Sequence, residues 1–108
     1  MIYKQEEIEY WAQHKGIYDD GGSFMAQAKG MAEEVVEVTE AWSDALYINS
    51  PASDRNLQRE LGDVYVFWIN ACRIAGVNPS DCIDAAFRKI NGRDGKMVDG
   101  RFVKEVIE

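Results

Sequence analysis

An all-α fold, a four-helix domain closed by a short C-terminal β-hairpin, is predicted by three observations. Four segments carry apolar residues at helical spacing. Each of those segments is bounded by capping or stop residues. Near the end of the chain, Asp99-Gly100 sits between two short apolar runs, the strongest local hairpin signal. The 108 residues fit one core, and no linker, repeat or low-complexity stretch divides them. One domain over residues 1–108 is expected.

The first helix is expected over about residues 4–15. Ile8, Trp11 and Ala12 share one side of it, and Gly16 stops it. Gly16 to Gly22 reads as a loop rich in turn residues, and Ser23 as the cap of the next helix. That second helix spans about 24–47, with Met31, Val35, Val38, Trp42, Ala45 and Leu46 as its apolar stripe. Asn49, Ser50 and Pro51 are read as its end, and a connection of about half a dozen residues leads to the third helix. The third helix is expected over about 54–75. It is apolar on nearly every side, as in a central helix or one shared with another subunit. The fourth runs over 79–91, with Asn78 as cap, Pro79 as first helical residue and Gly92 after its end. Ile83, Phe87 and Ile90 form its inner stripe. The hairpin covers about 96–104 and should pack on the helices or on a neighbour, because a two-stranded ribbon is marginal alone.

Composition excludes several classes of function. A net charge of -7 argues against a surface for polymeric nucleic acid, which needs a basic stripe. No apolar run approaches the roughly 20 residues that span a bilayer. The acidic, amphipathic start is unlike a signal peptide, so a cytoplasmic setting is expected. Cys72 and Cys82 lack metal-ligand spacing and read as reduced thiols.

The chemistry lies in two acidic clusters, Glu33-Glu34-Val35-Val36-Glu37 and Glu60-Leu61-Gly62-Asp63, inside helices that otherwise read as core. At 100° per residue, Gly30, Glu34, Glu37 and Ala41 fall within about 60° of one another. Glu60, Asp63, Phe67 and Asn70 share a strip on the next helix. Joined by a short connection, the two helices are antiparallel neighbours. Glu37 and Asp63 lie at similar distances from that connection, which would bring the acid pairs within about one turn, roughly 5.4 Å. An unpaired charge taken out of water costs several kcal/mol. Four oxygen ligands suit a hard cation, Mg2+ with Mn2+ as a substitute. Zinc is disfavoured because His14 is the sole histidine. The alternative is a solvated acidic face, which Glu33 and Glu40 fit better than Glu60 and Asp63 do.

Glu-Glu-x-x-Glu on one helix and Glu-x-x-Asp on the next resemble the signature of the all-α nucleoside triphosphate pyrophosphohydrolases. That superfamily includes MazG-like proteins, dimeric dUTPases and dCTP pyrophosphatases. The likeness covers Ala26 to Trp42, Leu57 to Ala71 and the tail Asn91-Gly92-Arg93-Asp94-Gly95-Lys96, which resembles small MazG-like proteins of phages and mobile elements. It implies Mg2+-dependent hydrolysis of a (d)NTP to the monophosphate and pyrophosphate, a nucleotide-pool housecleaning activity. Glu34, Glu37, Glu60 and Asp63 would hold the metal, and Glu33 would orient or deprotonate water or stand just behind the ligands. Lys89, Asn91, Arg93 and Lys96 are candidates for the phosphates, and Trp42 and Phe67 for the base. Relatives often carry a lysine three residues before the double glutamate; here that position is Gly30. The excess apolar surface of the third helix predicts a homodimer, or a dimer of dimers. The rival reading is a helical binding module that senses nucleotide or metal without turnover.

Overall fold

The computed structural model describes residues 3–105; the first two and last three positions of the expected 1–108 domain lie outside them. Four helices, α1 (Gln5–His14), α2 (Phe24–Tyr47), α3 (Pro51–Ile74) and α4 (Pro79–Asn91), are followed by strands β1 (Gly95–Val98) and β2 (Arg101–Lys104). The fold is the predicted all-α one with its hairpin.

Local chemistry explains most boundaries. The Ser23 hydroxyl accepts from the Ala26 amide at the start of α2. Asn78 accepts from the Ser80 amide at the start of α4, with Pro79 in the first turn. The strands pair antiparallel with Val98 opposite Arg101, and Asp99 and Gly100 both adopt the positive φ that this two-residue turn requires.

One boundary departs from expectation. Helix α3 begins at Pro51, three residues earlier than the sequence reading put it. Pro51 opens this helix rather than ending the one before. Ser50 caps it, and Ser50 and Ser53 exchange side-chain-to-backbone hydrogen bonds at 3.0 and 3.1 Å. The α2–α3 connection is therefore only Ile48, Asn49 and Ser50, with Asn49 at φ 53°.

Helices α2 and α3 form an antiparallel pair, and the packed side of α2 is shifted to the edge of its expected stripe, where Met31 and Val38 are half-buried. Ala41 and Ala45 are buried, while Val35, Trp42 and Leu46 stay exposed. Small residues let the helix axes approach closely, and the Phe67 ring lies against α2 at Gly30. A Cβ on Gly30 would overlap three atoms of that ring. The missing lysine at position 30 has its explanation here: Phe67 occupies the space that any side chain would need. Gly30→Ala is expected to cost about 1–3 kcal/mol in overpacking, offset by about 1 kcal/mol of helix propensity. A net destabilisation near 1 kcal/mol should appear in urea melts. A more stable variant would mean that the ring is free to move.

Helix α1 is tied to α3 by the Arg73–Glu9 ion pair at 2.7 Å, and Gln5 donates to the same carboxylate at 2.8 Å. Burial works to raise the Glu9 pKa, but Arg73 and Gln5 outweigh it and hold the carboxyl below its ordinary range. Helix α4 is anchored mainly at its start, where Pro79 is buried and Ser80 donates to Gln5 at 3.1 Å. Beyond that turn its stripe is only partly covered: Ile83, Phe87 and Ile90 are about half exposed. This corrects the expectation of an inner stripe. The hairpin likewise packs on no helix among the described residues. The radius of gyration is 16.8 Å, against about 13 Å for a compact chain of this length.

Cys72 and Cys82 are free thiols. Burial, then the neighbouring Cys82, pushes the Cys72 thiol up to about 11, so it stays protonated at neutral pH.

Candidate metal centre

The strips of α2 and α3 meet at three carboxylates. One oxygen each from Glu34, Glu37 and Glu60 lies within 4.8 Å of the other two. The antiparallel pairing sets this register. It brings Glu60 of α3 across from Glu34 and Glu37 of α2.

The cluster is electrostatically unfinished. Glu34 Oε2 and Glu60 Oε2 are shut off from solvent and have no hydrogen-bond partner. The Glu60 carboxylate, close enough to share a proton, raises the pKa of Glu34; desolvation and then Glu37 add to this, and the carboxyl is pushed up to about 7. Protonation relieves such a cluster, and so does a cation. Oxygens around one Mg2+ lie at most about 4.2 Å apart, twice the roughly 2.1 Å bond, so these side chains need to close only slightly. The donor set, all carboxylate, fits a hard divalent ion.

The other sequence candidates take distinct places. Asp63 stands outside the trio but shares a cavity with Glu34 and a groove with Glu60. Phe67 lines the cavity with Glu34 and Asp63. Glu33 is exposed beside the cluster on α2. Trp42 is 57% exposed, on the bulky stripe of α2, and lines neither the cavity shared by Glu34 and Asp63 nor the two grooves along Asp63 and Val66. Lys89, Asn91, Arg93 and Lys96 are exposed at the end of α4 and on β1, and they line none of those cavities either. Helix α4 packs on α3 and not on α2, which keeps this basic group away from the trio within one copy.

Sequence reasoning missed Gln27 and the neighbourhood of Asn70. Gln27 continues the carboxylate strip of α2 two turns before Glu34, and its Oε1 is buried without a partner, a state that costs about 1–3 kcal/mol. That extension of the strip was the available signal. Asn70 is 2% exposed and accepts a hydrogen bond from the Tyr18 hydroxyl at 2.9 Å. Tyr18 comes from the loop after α1, where Gly16 takes φ 80°, and nothing in the local sequence connects that loop to α3.

No helix among the described residues is long and apolar enough to cross a membrane. Comparison with curated proteins and with solved structures returns no match. The family comparison does: residues 23–98, from the cap of α2 to the end of β1, match the model of the MazG nucleotide pyrophosphohydrolase domain. That stretch holds both acidic strips and covers well over half of the sequence, and on that ground the chain belongs to the MazG family.

Proposed function

We propose that the chain is a Mg2+-dependent nucleoside triphosphate pyrophosphohydrolase that cleaves (d)NTPs to (d)NMP and pyrophosphate in cytoplasmic nucleotide housecleaning. The observation that carries this reading is the convergence of Glu34, Glu37 and Glu60, two of them with buried, unpartnered oxygens, inside a MazG domain. These three would hold the ion, with Asp63 as fourth ligand one turn beyond Glu60. When bound, Mg2+ neutralises phosphoryl charge and steadies the departing pyrophosphate. Glu33, exposed beside them, would orient or deprotonate the attacking water, or stand just behind the ligands. Phe67, and Trp42 with it, remain candidates for contact with the base.

The proposed assembly is a homodimer, or a dimer of dimers. The α4 stripe and the bulky stripe of α2 lack cover within one copy. A second copy over them would also bring Lys89, Asn91, Arg93 and Lys96 toward a neighbour's phosphates, basic groups meeting an acidic site. Phe87→Asp is expected to shift the protein to monomer in light scattering and to lower turnover with it. A wild type that is already monomeric at micromolar concentration contradicts the assembly.

Incubation of the protein with each (d)NTP and Mg2+, followed by a pyrophosphate assay, tests the activity. Release of pyrophosphate that stops with EDTA is expected. Tight nucleotide binding by calorimetry with no product over hours would instead identify a sensing module.

A further inference from the structure

Two thiols that the hydrolytic chemistry does not use stand together where α3 turns into α4. Past the end of α3, Gly76 takes φ 79° and its amide donates to the Arg73 carbonyl at 3.1 Å. The Val77 amide reaches back to the Cys72 carbonyl at 3.0 Å, which folds the chain over the last turn of the helix. One residue on, the Asn78 carbonyl accepts from the Cys82 amide at 3.1 Å. Each cysteine is therefore one backbone hydrogen bond from the Val77-Asn78 step. Their side chains meet as well, with the Cys72 sulfur within hydrogen-bonding reach of Cys82. We propose that Cys72 and Cys82 form a reversible redox clasp, closing to a disulfide that fastens α4 to α3.

The position of Cys82 gives such a bond its consequence. In α4, Pro79 is buried, Ser80 and Cys82 are half-buried, and every residue from Ile83 to Asn91 is exposed. The hold of the body on this helix thus ends at Cys82. With the thiols free, the angle at which α4 leaves rests mainly on Pro79 and on the Ser80–Gln5 hydrogen bond. A covalent bond at the last held residue fixes that angle. It also fixes where the helix carries its apolar stripe and the basic group at its end.

The oxidant is a small-molecule disulfide such as oxidised glutathione. Cys82, the less buried of the pair, attacks first as thiolate. Its sulfur bonds to one glutathione sulfur, the glutathione S–S bond breaks, and the other half leaves as thiolate. Cys72 then gives its proton to solvent and attacks Cys82 Sγ, expelling the second glutathione. The two cysteines lose two electrons and two protons, and one oxidised glutathione becomes two reduced ones. Burial, then the neighbouring Cys82, pushes the Cys72 thiol up to about 11, so Cys72 is a poor first attacker. Proximity to the activated Cys82 sulfur offsets this in the second step. The sulfurs must close from contact to about 2.05 Å, which a small shift of the first turn of α4 supplies. Reduced glutathione reverses both steps, as befits a transient bond in a reducing compartment.

The test equilibrates the whole chain in glutathione buffers of increasing oxidised share. Intact mass should show the loss of two hydrogens per chain, restored by dithiothreitol. The oxidised form should melt at least about 5 °C higher than the reduced one. Hydrogen exchange of the α4 amides after Cys82 should slow about tenfold or more. Cys82→Ser should show none of these changes. Cys72→Ala should stop at a mixed disulfide of Cys82 with glutathione. Thiols that stay free in wild type, a mixed disulfide that persists there, or links between chains would each overturn the clasp. So would a disulfide that leaves melting and α4 exchange unaltered. None of these readouts depends on turnover, so the hydrolase reading stands or falls separately.

Discussion

Glu60→Gln is expected to lower kcat/KM at least about 100-fold and, in the same protein, to raise the melting temperature measured in EDTA. Substitutions in residues that merely support metal ligands cost about 10- to 100-fold. Removing a ligand's charge should cost more. The gain in stability has the same origin. Glu60 is one of three carboxylates held within 4.8 Å of one another, and one of its oxygens is shut off from water without a partner. Without a cation those charges repel, and an amide in place of Glu60 removes one of them while donating a hydrogen bond to Glu34. The upward shift of melting temperature that Mg2+ gives the wild type should shrink or vanish in the variant. Glu40→Gln, on an exposed position of α2, is the control and should change neither quantity. Activity and the Mg2+ response that both survive in Glu60→Gln would remove Glu60 from the site. A loss of activity accompanied by a loss of stability in EDTA would point to a structural role instead.

What the sequence disclosed, and what it withheld, follows from the range of the forces involved. The cap at Ser23, the Asn78-Pro79 start of α4 and the Asp99-Gly100 turn were legible because each is settled by hydrogen bonds within a few residues. Pro51 misled for a local reason as well. A proline after Asn-Ser reads equally as the end of one helix or the first residue of the next, and the Ser50–Ser53 exchange decides for the second. The connection between α2 and α3 is shorter as a result, only residues 48–50. The identity of the acidic strips was readable from helical periodicity; their mutual register depended on one short connection.

The choice of packed face was less legible still. Hydrophobicity marks Met31, Val35, Val38, Trp42, Ala45 and Leu46 as the core side of α2, yet within one copy the packed side is the edge of that stripe, with Ala41 and Ala45 buried and Gly30 against Phe67, while Val35, Trp42 and Leu46 stay exposed. Close helix approach and a carboxylate pocket both need small residues, and a hydrophobic stripe does not say which partner will cover it. Gln27 escaped notice because an amide gives no electrostatic signal in a sequence. It acquires significance only when burial leaves its oxygen without a donor.

The metal-free protein is expected to lose stability as pH rises from about 5 to about 7, and Mg2+ should remove that dependence. Glu34 titrates at about 7 in the folded chain, against an ordinary value of 4.5. Between those values the folded state holds a proton that the unfolded state has released, so stability falls as pH rises. The contribution from Glu34 is fully present below 4.5 and is lost through about 7. Glu9 acts in the other direction and in another range. Its folded pKa lies below the ordinary value, so its ion pair with Arg73 stabilises above 4.5 and is lost as pH falls through the folded value. The two effects leave a maximum of stability in EDTA near pH 5, on the acidic side of neutrality. Binding of Mg2+ requires Glu34 as carboxylate, so the ion competes with the proton and its apparent affinity should rise with pH up to about 7 and then level off. Thermal melts from pH 4 to 8, in EDTA and in Mg2+, read both predictions. Glu34→Gln should flatten the slope between pH 5 and 7 in EDTA and leave the acid limb due to Glu9 in place. A slope in EDTA that Glu34→Gln does not alter would assign the proton elsewhere, and with it the crowding of charge from which the cation site is argued.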